Sequence, residues 1–149
     1  MRNAELTIAQ ILKFCQLIIA FLWIYQGLIP KLIFQVEGEQ YVWQQLHIPD
    51  VYISCLVSLS GIGEVIFGIL FLFIRHQYLH WLSILSLVGL FILILFIYPN
   101  QIYQAFNPIV MNIALGSLSL ISIWCLNAKT HTKPEWNVLH EYNKMDWLI

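Results

Sequence analysis

Apolar residues run through this chain in four long blocks, at residues 8–34, 51–74, 78–98 and 109–126, with polar residues concentrated between them. Each block approaches or exceeds the roughly 20 residues that an α-helix needs to cross a bilayer. The pattern predicts an all-α fold: a bundle of four transmembrane helices forming one domain over residues 1–149. The first block follows Arg2 and carries Lys13 near its start, a basic beginning like that of a signal peptide. It lacks a small-x-small cleavage site and three further spans follow, so it reads as an uncleaved first span.

The breaks between the blocks carry their own predictions. Residues 35–50 mix Glu37, Glu39, His47 and Asp50 with Tyr41, Trp43, Leu46 and Ile48, which predicts a short interfacial helix lying flat over the bundle, its aromatics shielded by headgroups and its glutamates wet. Arg75-His76-Gln77 is a tight connection, so the second and third spans should be antiparallel neighbours. Pro99-Asn100 ends the third span. Pro108 opens the fourth, where its missing N–H does no harm. In the tail after Ala128, Thr132-Lys133-Pro134-Glu135 has capping-box form and predicts a short amphipathic helix to about Met145.

Within the apolar blocks the polar positions are ordered. Glu64 stands near the middle of the second span in Ser60-Gly61-Ile62-Gly63-Glu64-Val65-Ile66-Phe67-Gly68. A carboxylate there costs several kcal/mol unless it is protonated, paired or turned away from lipid. Ser60, Gly61 and Gly68 share its helical face, so Glu64 should point inward beside a close helix neighbour. A purely structural role, hydrogen-bonding a neighbouring helix, competes evenly with a functional one. Trp23, Gln26, Gly27, Pro30 and Lys31 recur on one face of the first helix, Ser83, Ser86 and Gly89 form a packing strip on the third, and Asn112, Gly116 and Ser119 form a polar stripe on the fourth.

Charge orients the bundle. Arg2, Lys13, Arg75, Lys129, Lys133 and Lys144 fall on the side of the termini and only Lys31 falls opposite, which by the positive-inside rule puts both termini in the cytoplasm. Gln26, Lys31, Tyr98, Asn107 and Asn112 then lie in the outer half with Glu64 deeper, a candidate ligand-binding pocket in which Glu64 is the proton-exchanging group. Counting helical rise from the span ends separates Lys31 from Glu64 by more than a salt-bridge length. For Trp23 and Lys31 the competing role is interfacial anchoring.

Composition narrows the class. Of 149 residues 60% are hydrophobic and 10% charged, against about 25% charged in a soluble domain. Net charge is −1, which provides no basic surface for nucleic acid. Cys15, Cys55 and Cys125 sit in separate spans without metal-ligand spacing, and read as inert core thiols. His76 and His80, at i and i+4, are two potential metal ligands without a third, and read as interfacial residues; no metal site is predicted.

The segment Leu22-Trp23-Ile24-Tyr25-Gln26-Gly27-Leu28-Ile29-Pro30-Lys31-Leu32, the Gly61–Gly68 stretch with Glu64, and Asn107-Pro108 followed by Met111-Asn112 together resemble the DoxX-like family of small four-helix membrane proteins. The W-x-x-x-G-x-x-P-K pattern is the most specific part. Where that family often reads Lys-Asn, this chain has Met111-Asn112, which removes a second cation. The resemblance implies a four-helix bundle of the bacterial inner membrane, in a family named for a thiosulfate:quinone oxidoreductase subunit. It suggests a hydrophobic ligand such as a quinone held by Trp23, Gln26, Lys31, Glu64 and Asn112, and an oxidoreductase partner or a homo-oligomer in the lipid bilayer. A non-catalytic assembly or scaffold protein is the alternative reading. A small transporter ranks third, because the spans show no internal repeat or broken helix.

Overall fold

The computed structural model describes residues 2–97, Pro99 and residues 108–131. Among them the chain forms five α-helices and no strand: α1 (Arg2–Gly27), continued by a π-helical turn (Leu28–Ile33), α2 (Glu37–Gln45), α3 (Asp50–Phe73), α4 (Gln77–Ile97) and α5 (Pro108–His131). Four helical stretches are long and apolar enough to cross a membrane: Asn3–Ile33, Asp50–Phe73, Gln77–Ile97 and Ile109–Ala128. The amphipathic helix expected after residue 132, and the predicted site residues Tyr98 and Asn107, lie outside the described residues.

The distribution of side chains is that of a protein dissolved in lipid. Phe14, Phe21, Leu85, Phe96, Val110 and Trp124 are exposed, whereas Gln16, Ser83, His80, Asn112, Ser119 and Ser122 are buried. Polar groups within a span belong in the bundle interior, where other protein groups can satisfy them.

α1 is the central element. It packs against both α3 and α5, and α4 packs against α5. The α1–α3 contact is made by glycines: a Cβ on Gly68 would lie 2.8 Å from the Ala20 carbonyl oxygen, and one on Gly61 would lie 2.8 Å from both the Gly27 oxygen and Lys31 Cβ. Backbone-to-backbone approach of this kind strengthens dispersion contacts where no hydrophobic effect operates between helices.

α3 and α4 differ from expectation. Although residues 74–76 join them directly, their backbones scarcely approach one another. Aromatic side chains hold them apart. Trp23 of α1 meets Phe67 edge-on at 4.9 Å, Phe67 meets Phe71 at 5.2 Å, and Phe71 meets His80 of α4 at 5.1 Å. The Trp23 indole N–H also donates to Ser83 Oγ on α4 at 3.1 Å. The expected packing strip on α4 therefore splits: Ser83 is buried, but Ser86 and Gly89 line open space.

The π-helical turn follows from Pro30, which has no N–H to donate and whose ring obstructs the carbonyl one turn earlier. The Phe34 amide instead bonds the Ile29 carbonyl, five residues back, at 3.1 Å. Gln35 then takes a left-handed conformation, φ 44°, and turns the chain into α2. Its side chain donates to Ser58 Oγ at 2.9 Å and accepts from Ser54 Oγ at 2.8 Å, which ties the turn to α3. α2 consequently packs along the first turns of α3.

Candidate functional site

The widened turn after Pro30 delivers Lys31 to the bundle interior. Its Cβ stem rests on Gly61, and the residue is only 8% exposed. The ammonium forms a direct ion pair with Glu64 Oε1 and lies 3.5 Å from Glu39 Oε2. One cation is thus shared by two carboxylates brought from α3 and α2. Interfacial anchoring, the competing role for Lys31, is not what this geometry provides.

The depth count that separated Lys31 from Glu64 assumed that the first and second spans end level. They do not: Lys31 lies beside Gly61, and the 11 residues from Asp50 to Gly61 carry α3 about 16 Å beyond it. α2 covers the overhang. This placement also corrects the expectation that Glu39 stays wet, because Glu39 is half-buried over Lys31 while Glu37 remains exposed.

Glu64 borders a cleft of about 530 Å³ between α3 and α4, the space left by their separation. Trp23 and Phe67 form its aromatic wall, Ser60 and Gly63 its α3 side, and Ser86, Gly89 and Leu93 its α4 side. A Cβ on Gly63 or Gly89 would meet nothing within 4 Å, so neither glycine is required by helix packing. Of the two carboxylate oxygens, Oε1 holds Lys31, and Oε2 is buried without a hydrogen-bond partner among the described residues. An unpaired buried acceptor is costly, and a ligand donor would satisfy it.

Lys31 pairs with Glu64, and Glu64 and Trp23 border the same cleft. Trp23 is buried at the back of the cleft rather than anchored at an interface. Gln26 turns elsewhere, its amide donating to Met111 Sδ on α5 at 3.2 Å. Asn112 does not border the Glu64 cleft; it lines a separate pocket of about 240 Å³ between α4 and α5.

Sequence reasoning missed the polar interior deeper in the bundle. His80, read as interfacial, is fully buried, and neither ring nitrogen has a hydrogen-bond partner among the described residues. Ser119 Oγ donates to Ser83 Oγ at 3.5 Å, extending the Trp23 contact to α5. The signal was available: His80, Ser83 and Leu87 fall at i, i+3 and i+7, on one inward helical face. No group of three or more His, Cys, Asp or Glu placed to hold a metal occurs among the described residues.

No match is found among curated proteins or solved structures. The DoxX-like family matches residues 20–120, a stretch that takes in the Trp23–Lys31 segment, the Glu64 helix, all of α4 and the start of α5. The match spans more than half of the chain and agrees with its four membrane-length helices, and the chain belongs to the DoxX-like family of small membrane proteins.

Proposed function

We propose that the cleft between α3 and α4 binds a hydrophobic molecule with a hydrogen-bonding head group, a quinone or quinol, as part of a membrane redox system with an oxidoreductase partner. The observation that carries this reading is Glu64, which borders a mostly apolar, aromatic-walled cleft and whose buried Oε2 has no hydrogen-bond partner among the described residues. Its size falls within the range of small-molecule sites, about 300–1,000 Å³. A quinol hydroxyl donates to Oε2 while its ring lies against Trp23 and Phe67. Lys31 fixes the orientation of the carboxyl group through Oε1. The cleft lies between two spans, so an isoprenoid tail can remain in lipid.

In this reading the chain resides in the bacterial inner membrane with both termini cytoplasmic, as the distribution of Lys and Arg supports. A C-terminal reporter active only in the periplasm would overturn that orientation.

The ligand is tested by purifying the chain in native lipid discs and extracting it for mass spectrometry. Near-stoichiometric quinone is expected from wild type. Gly63→Leu fills the cleft without touching the ion pair and should lose the quinone while keeping its thermal stability. A quinone-free wild type that carries a stably bound membrane protein would favour the assembly-factor reading instead.

A further inference from the structure

Asn112 presents a second problem that the Glu64 cleft does not solve. It is 5% exposed, and neither its amide nitrogen nor its amide oxygen has a hydrogen-bond partner among the described residues. Leaving an amide unpaired in an apolar medium costs about 2–7 kcal/mol. Among the described residues the surrounding pocket has no polar side chain besides Asn112: Ile84, Leu87 and Phe91 of α4 face Ile113 and Gly116 of α5. A buried water needs two to four polar partners, and among the described residues the Asn112 amide is the one polar side chain that lines this pocket. The pocket holds about 240 Å³, more than the roughly 150 Å³ that accepts benzene in an engineered apolar cavity. It opens past Val88 and Ile113, both exposed on the lipid-facing surface.

We propose that this α4–α5 pocket is a lipid-binding site that takes the head of a single-chain fatty acid, with Asn112 as its recognition residue. The amide offers a donor and an acceptor side by side. A protonated carboxyl group is the complementary pair, its O–H donating to the Asn112 oxygen and its carbonyl accepting from the Asn112 amide. The pocket accommodates the head and the first methylene groups, and the remaining chain leaves between Val88 and Ile113 into the bilayer. Gly116 keeps the cavity open, since a Cβ there would meet only Leu87 Cδ1, at 3.9 Å. This site is independent of the Glu64 cleft and stands whether or not that cleft holds a quinone.

Photolabelling of the full chain in lipid discs tests it. The probes are palmitic acid bearing a diazirine near the carboxyl, its methyl ester and the matching alkane. The acid should label residues 84–116 about thirtyfold more than the alkane, the ratio given by two net hydrogen bonds. The ester, an acceptor without a donor, should fall between them. Asn112→Leu should erase the difference between acid and alkane without loss of thermal stability, because it removes an unpaired amide. Gly116→Leu fills the pocket beside an intact Asn112 and should reduce acid labelling to the alkane level, which decides the matter if Asn112→Leu fails to fold. Glu64→Gln should leave this labelling unchanged. Equal labelling of wild type by acid and alkane, wild-type labelling of Asn112→Leu, or cross-linked dimers joined through residues 84–116 would each overturn the proposal.

Discussion

The two faces of α3 solve opposite problems. Towards α1, Gly61 and Gly68 allow the backbones to touch, and any side chain larger than hydrogen would collide with a carbonyl. Towards α4, Gly63 and Ser60 border a cleft, and a Cβ on Gly63 would meet nothing within 4 Å. Glycine therefore has two meanings within three residues of Glu64, a close contact on one side and an open wall on the other. Glu64 stands at the junction, its Oε1 turned to the closed side by Lys31 and its Oε2 left free.

The sharpest way to break this contrast is to substitute the contact glycines. Gly68→Leu would force the Ala20 backbone and Ile24 aside and should abolish the folded bundle, with little monodisperse protein after detergent extraction. Lys31→Ala ranks next. It leaves Glu64 buried without a cation and should cost about 3–5 kcal/mol in a denaturant titration. Lys31→Met with Glu64→Leu should recover most of that loss, because replacing both members of a buried pair by apolar groups is often nearly neutral.

Trp23→Phe keeps the aromatic wall but removes the donor to Ser83, and should cost about 1–3 kcal/mol, read as a lower midpoint in the same titration. Glu39→Gln should change stability by no more than about 1 kcal/mol, since this partner of Lys31 is partly solvated. The smallest effect belongs to the open face. Gly63→Ala meets no atom and should be neutral or stabilising by up to about 1 kcal/mol, through helix propensity. A Gly63→Ala variant as damaged as Gly68→Leu would show that the cleft is closed in the folded protein.

Much of the fold was legible before any coordinates. Hydropathy alone marks where chain must be shielded from water, so the four spans and the polar break holding α2 were recoverable from residue order. The inward turn of Glu64 was equally legible, because a carboxylate facing lipid is prohibitively costly. The choice between structural and functional roles for it was not, since both place the carboxyl inside. Trp23 and Lys31 also fell on the right face, but pairing Lys31 with Glu64 required the offset between α1 and α3, which hydropathy does not encode. The error over α3 and α4 is of the same kind: a short connection sets two helices antiparallel but leaves their separation to the side chains between them.

Periodicity and polarity along the chain thus determined the number of spans, the inward face of each and the inventory of polar groups that must be buried. Those are local properties, set by the cost of exposing each residue to the wrong solvent. Which buried groups meet was settled by packing in three dimensions: Lys31 with Glu64 and Glu39, Trp23 with Ser83, and Asn112 with no described partner. Helices can slide and rotate past one another at no cost to their own hydropathy. The Gly61 and Gly68 contacts and the aromatic wedge select one arrangement, and that selection places Glu64 and Asn112 at two separate pockets.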